Sequence, residues 1–298
     1  MKWELKILKR RYFSVIAIIL VLMMVLSTGC GVRINGEEHE LFSVDKKENN
    51  LFEGVGKESL EAQTIEEDKL DGERLVLSTD AGNVTVEKSE ASQIVIEAEK
   101  KVRGTSEKDK KTILENMNIE LERNGKVMKL VVKTKDGEDF WDWKRDNFKS
   151  FQTTINLVIL LPNGINGIEV NTGAGNIDIN DISAELSINT GAGNIEIQGV
   201  SALENNNINT GAGNIEFHGE IYKVSSFIAS SGVGNIDFIV PEDTKMSLDV
   251  STGVGALSGS FIKTKNSKSK FYFVGHINGG GPSVKLNTGV GNIEADED

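Results

Sequence analysis

One cysteine and three prolines in 298 residues leave little room for two common ways of building a chain. With Cys30 alone, no disulfide can form within the molecule. With so few prolines, rigid Pro-rich linkers are excluded, so turns must be made by something else, and the 31 glycines supply the means. Arginine is absent after Arg145, and the three histidines (His39, His218, His276) are scattered. No Ser or Cys nucleophile sits beside any of them, so the grouping of nucleophile, base and orienting partner that catalysis requires is not found. Positive charge is in deficit as well. The formal net charge is −12, and removing residues 1–29, with five bases and one acid, takes it to −16. Nucleic acid, which needs clustered Lys and Arg against its phosphates, is therefore not an expected partner.

The first thirty residues read as an address and not as fold. A basic stretch (Lys2, Lys6, Lys9, Arg10, Arg11) precedes an apolar run at 15–26, and then come Ser27, Thr28, Gly29 and Cys30. The segment resembles a bacterial lipoprotein signal, in which Gly or Ala precedes the cysteine that becomes diacylated. Ser27 stands where that pattern has Leu. The resemblance implies lipidation of Cys30, a membrane anchor through the N-terminus and a place on the extracytoplasmic face. A retained transmembrane helix is the alternative, although the strongly apolar part is short for a bilayer. Residues 30–73 are polar and acid-rich and read as a flexible linker.

From Arg74 the texture becomes alternating: Leu75 and Leu77, Val84 and Val86, Ile94 and Ile96, Met128, Leu130 and Val132, Ile155 to Leu161. This period of two predicts strands, with Asn124-Gly125 as a hairpin turn and residues 105–117 as a short helix or loop. From Asn171 one phrase returns. It reads N-T-G-A-G-N-I-D-I at 171–179 and recurs at 189–197 and 209–217. It weakens to S-S-G-V-G-N-I-D-F at 230–238 and S-T-G-V-G-A-L at 251–257, then closes as N-T-G-V-G-N-I-E at 287–294. An earlier relative, S-T-D-A-G-N-V-T-V, lies at 78–86. The spacings are 18, 20, 21, 21 and 36 residues, the last taken as one coil plus an insertion. A period near twenty predicts an all-β solenoid, residues 74–298, in which stacked coils bury a face that no single repeat can bury alone. Side-chain parity places Ile177 and Ile179, Ile195 and Ile197, Ile215 and Phe217, and Ile236 and Phe238 inward, with Ile168, Val170, Leu186, Ile188, Met246 and Leu248. The paired glycines (Gly173 and Gly175, Gly191 and Gly193, Gly211 and Gly213, Gly232 and Gly234, Gly253 and Gly255, Gly289 and Gly291) are expected at corners, through positive φ or close approach. Flanking asparagines could form stacked amide ladders.

These phrases resemble the bacterial putative-adhesin (DUF4097) β-strand-repeat proteins, whose hallmark is T-G-x-G-[ND]-[IV]. The resemblance implies a right-handed, parallel β-helix-like domain with hairpin insertions. It implies no defined activity, and it leaves two roles open. One is an adhesin-like binding or scaffolding module at the cell surface. The other is an envelope-stress regulator binding a membrane partner or an antimicrobial peptide. Asp80 and Ala256 depart from the phrase and suggest capping or distorted coils. Asp178, Glu196, Glu216, Asp237 and Glu294 are expected to align on an outer face. The phrase is not the G-G-x-G-x-D of calcium β-rolls, so no metal and no cofactor is expected. Two surfaces are candidate binding patches for an envelope protein or a cell-wall polymer. One holds Trp141 and Trp143, which could equally cap an open end. The other is the run Lys263, Lys265, Lys268 and Lys270.

Overall fold

Alternating apolar residues become strands here because each coil has two inner faces to fill, and the chain obtains its backbone hydrogen bonds from the coil above and the coil below. In a computed structural model the described residues are 33–34, 37–38, 59–68, 72–148, 151–262 and 269–298. The signal segment, Cys30, Lys263, Lys265 and Lys268 lie outside them. Two units are distinguished, Met1–Leu51 and Phe52–Asp298. The first contains a two-strand pairing of β1 (Arg33–Ile34) with β2 (Glu37–Glu38). Among the described residues no helix is long and apolar enough to cross a membrane.

Among its described residues the second unit is mostly β, an eighteen-stranded sheet, mixed but largely parallel, that curves nearly into a barrel. Its opening part comprises β3 (Ser59–Asp68), β4 (Glu73–Ala81), β5 (Val84–Ser89), β6 (Gln93–Arg103), helix α1 (Glu107–Glu115), β7 (Asn118–Asn124), β8 (Val127–Lys133), helix α2 (Phe140–Asn147) and β9 (Gln152–Pro162). The predicted helix and the Asn124-Gly125 hairpin are both present, with Gly125 at φ 61°. The repeats follow as β10 (Ile165–Ala174), β11 (Ile177–Asn180), β12 (Ser183–Ala192), β13 (Ile195–Ala212), β14 (Ile215–Val233), β15 (Ile236–Val240), β16 (Met246–Val254) and β17 (Leu257–Ser258). The chain ends in β18 (Tyr272–Ile277), β19 (Ser283–Val290) and β20 (Ile293–Glu297). Every residue assigned inward by parity is buried, at 1% exposure or less.

Strand β3 falls inside the segment read as a flexible linker. All ten of its residues pair antiparallel with β6. Its sequence is too charged to show an apolar period, because at the edge of a sheet a strand can be held by its backbone alone. Gln63 adds a lateral tie: its Oε1 accepts from the Ile119 amide at 3.1 Å and its Nε2 donates to the Ile119 carbonyl at 2.6 Å.

Each letter of the repeated phrase has a separate task. The first asparagines form an amide ladder, Asn189 donating to Asn171 Oδ1 at 3.0 Å and Asn209 to Asn189 Oδ1 at 2.9 Å. The Thr or Ser hydroxyls turn inward, and those of Thr190, Thr210, Ser231, Thr252 and Thr288 donate to a glycine carbonyl of the neighbouring coil, as Thr210 does to Gly193 O at 2.9 Å. The two glycines differ. The second one of each pair has positive φ, 150° at Gly193, and a Cβ there would lie 2.0 Å from Gly175 O. The first has no positive φ, contrary to one expectation for Gly191. It is required by close approach alone, since a Cβ on Gly191 would lie 2.4 Å from Gly173 O.

The last asparagines make a second ladder that runs the length of the stack, each Oδ1 accepting the backbone N–H of its counterpart one coil on. It passes from Asn156 to Asn83, Asn176, Asn194, Asn214, Asn235, Asn292 and finally Ala256, at 2.8–3.0 Å. The glycine Cβ positions point back along the stack and the asparagine side chains point forward. The first coil therefore tolerates Asp80 in place of glycine, and the terminal coil tolerates Ala256 in place of asparagine. We predict that Asn194→Ala lowers stability by about 1 kcal/mol, the worth of one hydrogen bond. Ala256→Asn should leave stability nearly unchanged. Urea unfolding of the two variants beside the wild type checks this.

Ala256 belongs to the penultimate phrase in sequence, yet it ends the stack in space. Strand β19 pairs with β14 on one side and β16 on the other, so the final repeat is inserted between the two before it. The 36-residue interval is thus not a forward coil with an insertion. The chain leaves β17, returns as β18 antiparallel along the outer edge of β16, and turns through Asn278, Gly279 and Gly280, all with positive φ, to enter the gap.

Candidate binding grooves and an acidic column

Helix α2 starts where Asp139 caps it, its Oδ1 accepting from the Trp141 and Asp142 amides at 2.9 and 3.0 Å. Phe140 is fully buried, and the packing runs outward through a tilted contact with Trp143 and then edge-on contacts from Trp143 to Phe148 and from Phe148 to Phe151. Trp141 and Trp143 are half-buried against the core. Covering the core and facing solvent are therefore not exclusive roles for Trp141.

Trp141 stands between two open grooves. One, of about 600 Å³, runs across the outer face of the first coils and is lined by Ser78, Asp80, Trp141 and the Asn171–Asn189–Asn209 ladder. The other, of about 810 Å³, is lined by Asp80, Trp141, Lys144, Arg145, Phe148 and Phe151. Within it the Lys144 ammonium sits 4.9 Å from the ring centres of Trp141 and Phe151 and donates to Thr153 Oγ1 at 3.0 Å. Burial lowers its pKa, with the charge of Asp80 acting the other way. Arg145 is exposed and paired with Asp142 at 2.7 Å.

Of the sequence candidates, Trp141 lines these grooves, while Trp143 serves mainly the packing beneath them. Lys270 is exposed beside β18 on the terminal coil, whereas Trp141 adjoins Asp80 on the first, so these two do not share a surface. Sequence reading did not find the groove residues Ser78, Asp80, Asn171, Asn189 and Asn209. The one available signal was Asp80, the acid in place of a glycine.

The acidic residues align as expected: Asp178, Glu196, Glu216, Asp237 and Glu294 occupy five successive rungs in register. Burial raises the pKa of Asp178 from 3.8, with Glu196 and Glu87 adding repulsion. Burial likewise raises Glu216 from 4.5, with Glu196 and Asp237 adding to it and His218 opposing. Burial also raises Asp237. His218 itself lies 3.1 Å from Asp298. Among the described residues no group of three or more His, Cys, Asp or Glu is placed to hold a metal ion.

A carboxyl whose folded pKa exceeds its unfolded value binds protons more readily in the native state, so its contribution to stability falls as pH rises through that interval. The triple variant Asp178→Asn, Glu216→Gln, Asp237→Asn should therefore be more stable than the wild type at about pH 7. The difference should shrink as pH falls towards the ordinary carboxylate range. Thermal unfolding across that range checks the sign.

A profile of the family described as Toastrack DUF4097 matches residues 72–233. Among solved structures, a "putative cell adhesion protein" from Clostridium sporogenes ATCC 15579 is 17% identical, with 81% of this chain and 100% of that chain covered and a TM-score of 0.45. A "putative adhesin" from Bacteroides fragilis NCTC 9343 is 15% identical, covering 79% of this chain and 97% of its own, with a TM-score of 0.36. Another from Parabacteroides merdae ATCC 43184 is 12% identical, covering 82% and 98%, with a TM-score of 0.26. No curated protein matches the chain.

Proposed function

The chain belongs to the Toastrack DUF4097 family, and from this we propose that it is a lipid-anchored, non-catalytic binding or scaffolding module at the bacterial cell surface, adhesin-like in the broad sense. In this reading its repeats form a right-handed β-solenoid-like body, and Cys30, preceded by Gly29 and an apolar run, carries the anchor. Residues beyond Cys30 then carry the repeat unit outward from the membrane, towards wall polymers or envelope proteins.

The observation that supports a binding role is the pair of open grooves sharing Trp141 and Asp80. A half-buried indole, fixed on a capped helix over a ladder-stiffened sheet, gives contact area with little rotamer entropy to lose. Shallow, open surfaces of this kind suit extended partners.

Membrane extraction followed by mass spectrometry tests the anchor. A diacylated N-terminal Cys30 is expected, and Cys30→Ala should move the protein out of the lipid-modified pool. A mature chain still beginning at Met1 would favour a retained helix. Binding of the full-length protein to isolated wall, compared between wild type and Trp141→Ala, tests the groove. Because Trp141 also packs on the core, a lower melting temperature is expected together with loss of binding by the fraction that remains folded. Lost stability with undiminished binding by the folded fraction would return Trp141 to a capping role alone.

A further inference from the structure

The groove over the first coils has an uneven supply of hydrogen-bonding groups, and the imbalance defines what fits it. Four of the six side-chain N–H donors of Asn171, Asn189 and Asn209 are spent within the protein: Asn189 donates once, to Asn171, Asn209 donates to both Asn189 and Asn207, and Asn171 donates once, to Glu169 at 2.9 Å. Each of the three Oδ1 atoms keeps a free lone pair, because an amide oxygen accepts two hydrogen bonds and the ladder supplies at most one. On exposed rungs the Asp80 carboxylate adds further acceptors, and the Ser78 hydroxyl can accept or donate. A phosphate or carboxylate would meet these lone pairs with its own, against Asp80 and a chain of net charge −12. A purely apolar ligand would strip water from acceptors and give nothing back.

We infer that this groove binds a neutral glycan chain, whose hydroxyls donate to the Asn171, Asn189 and Asn209 oxygens and to Asp80 while the C–H face of one sugar ring packs on Trp141. This names the ligand class for the binding-module reading above and rests on it. Successive asparagines stand one strand spacing apart, about 4.8 Å, which is comparable to the advance of one residue in an extended saccharide. Three rungs therefore present a row of acceptors along the stack. The bare corners at Gly173 and Gly191 leave the floor flat. The volume of about 600 Å³ matches a short oligosaccharide segment and not a folded partner.

The test uses full-length protein extracted in detergent and a panel of neutral hexasaccharides of glucose, N-acetylglucosamine, mannose and galactose, with polygalacturonate as the acidic control. Binding is read by calorimetry and by tryptophan fluorescence. Two variants are compared after thermal unfolding: Trp141→Phe, which keeps an aromatic ring, and Ser78→Arg, which fills the groove from an exposed rung without touching the core. At least one neutral hexasaccharide is expected to bind, with polygalacturonate weaker and affinity falling about tenfold or more in Ser78→Arg at unchanged stability. Neutral binding undiminished in Ser78→Arg would overturn this site. Failure of every neutral glycan, with Ser78-dependent binding to isolated wall retained, would overturn the ligand class and leave the binding module standing. Failure on wall as well would remove both.

Discussion

Gly193→Ala is expected to prevent the second unit from reaching its native state, or to destabilise it by more than about 4 kcal/mol. Two penalties act at one atom. The backbone there has φ 150°, which an L side chain rarely adopts, and the new Cβ would sit 2.0 Å from Gly175 O and 2.5 Å from its carbonyl carbon. The neighbour is backbone, held on its far side by the coil before it, so no side chain can swing aside. Relief would require adjacent coils to separate, which would break the second asparagine ladder on either side. Glu196→Gln, three residues on and facing solvent, should stay within about 0.5 kcal/mol. Gly191→Val should also be severe, through contact with Gly173 O and not through φ. Urea unfolding followed by circular dichroism gives the order directly. Equal midpoints for Gly193→Ala and Glu196→Gln would mean that the coils are not packed at this spacing.

Phe217→Ala is expected to cost about 3–5 kcal/mol, the range for removing a buried aromatic side chain. Its ring lies 4.7 Å from that of Phe227 and 5.5 Å from that of Phe238, centre to centre, and all three are at 1% exposure or less. The cluster joins two successive coils across the interior, so truncation leaves a cavity lined by rigid strands that cannot close around it. A repeat stack depends on its neighbour interfaces, and the loss should therefore fall on the junction between coils. Equilibrium unfolding should show a lower midpoint. A midpoint unchanged from wild type would place these rings outside a common core.

Much of the fold could be read from period alone. The inward set from Ile168 to Phe238 followed from parity, because alternation along a strand admits only two faces and one of them is apolar. The five-carboxylate column followed from the same arithmetic. Strand β3 did not, since its charged side chains conceal a segment held by backbone pairing to β6. The groove was only partly visible. Trp141 stood out as an unusual residue, but the asparagines that floor the groove looked like corner pieces until α2 was placed beside them.

The sequence by itself determined the coil: its length, its inner face, its glycine corner and the asparagines that join one rung to the next are all local properties, repeated often enough to be unmistakable. Only the tertiary structure decided the order of the rungs. The phrases at 230–238, 251–257 and 287–294 offer nearly the same ladder to any neighbour, so local chemistry does not choose among them. The choice depends on long-range closure. The hairpin through β18 covers the outer edge of β16, and Ala256, which has no amide to pass on, is placed where no further coil needs one. Position of α2 over the first coil is likewise a packing outcome, set by Phe140 entering the core, and that position makes a corner of asparagines into the wall of a groove.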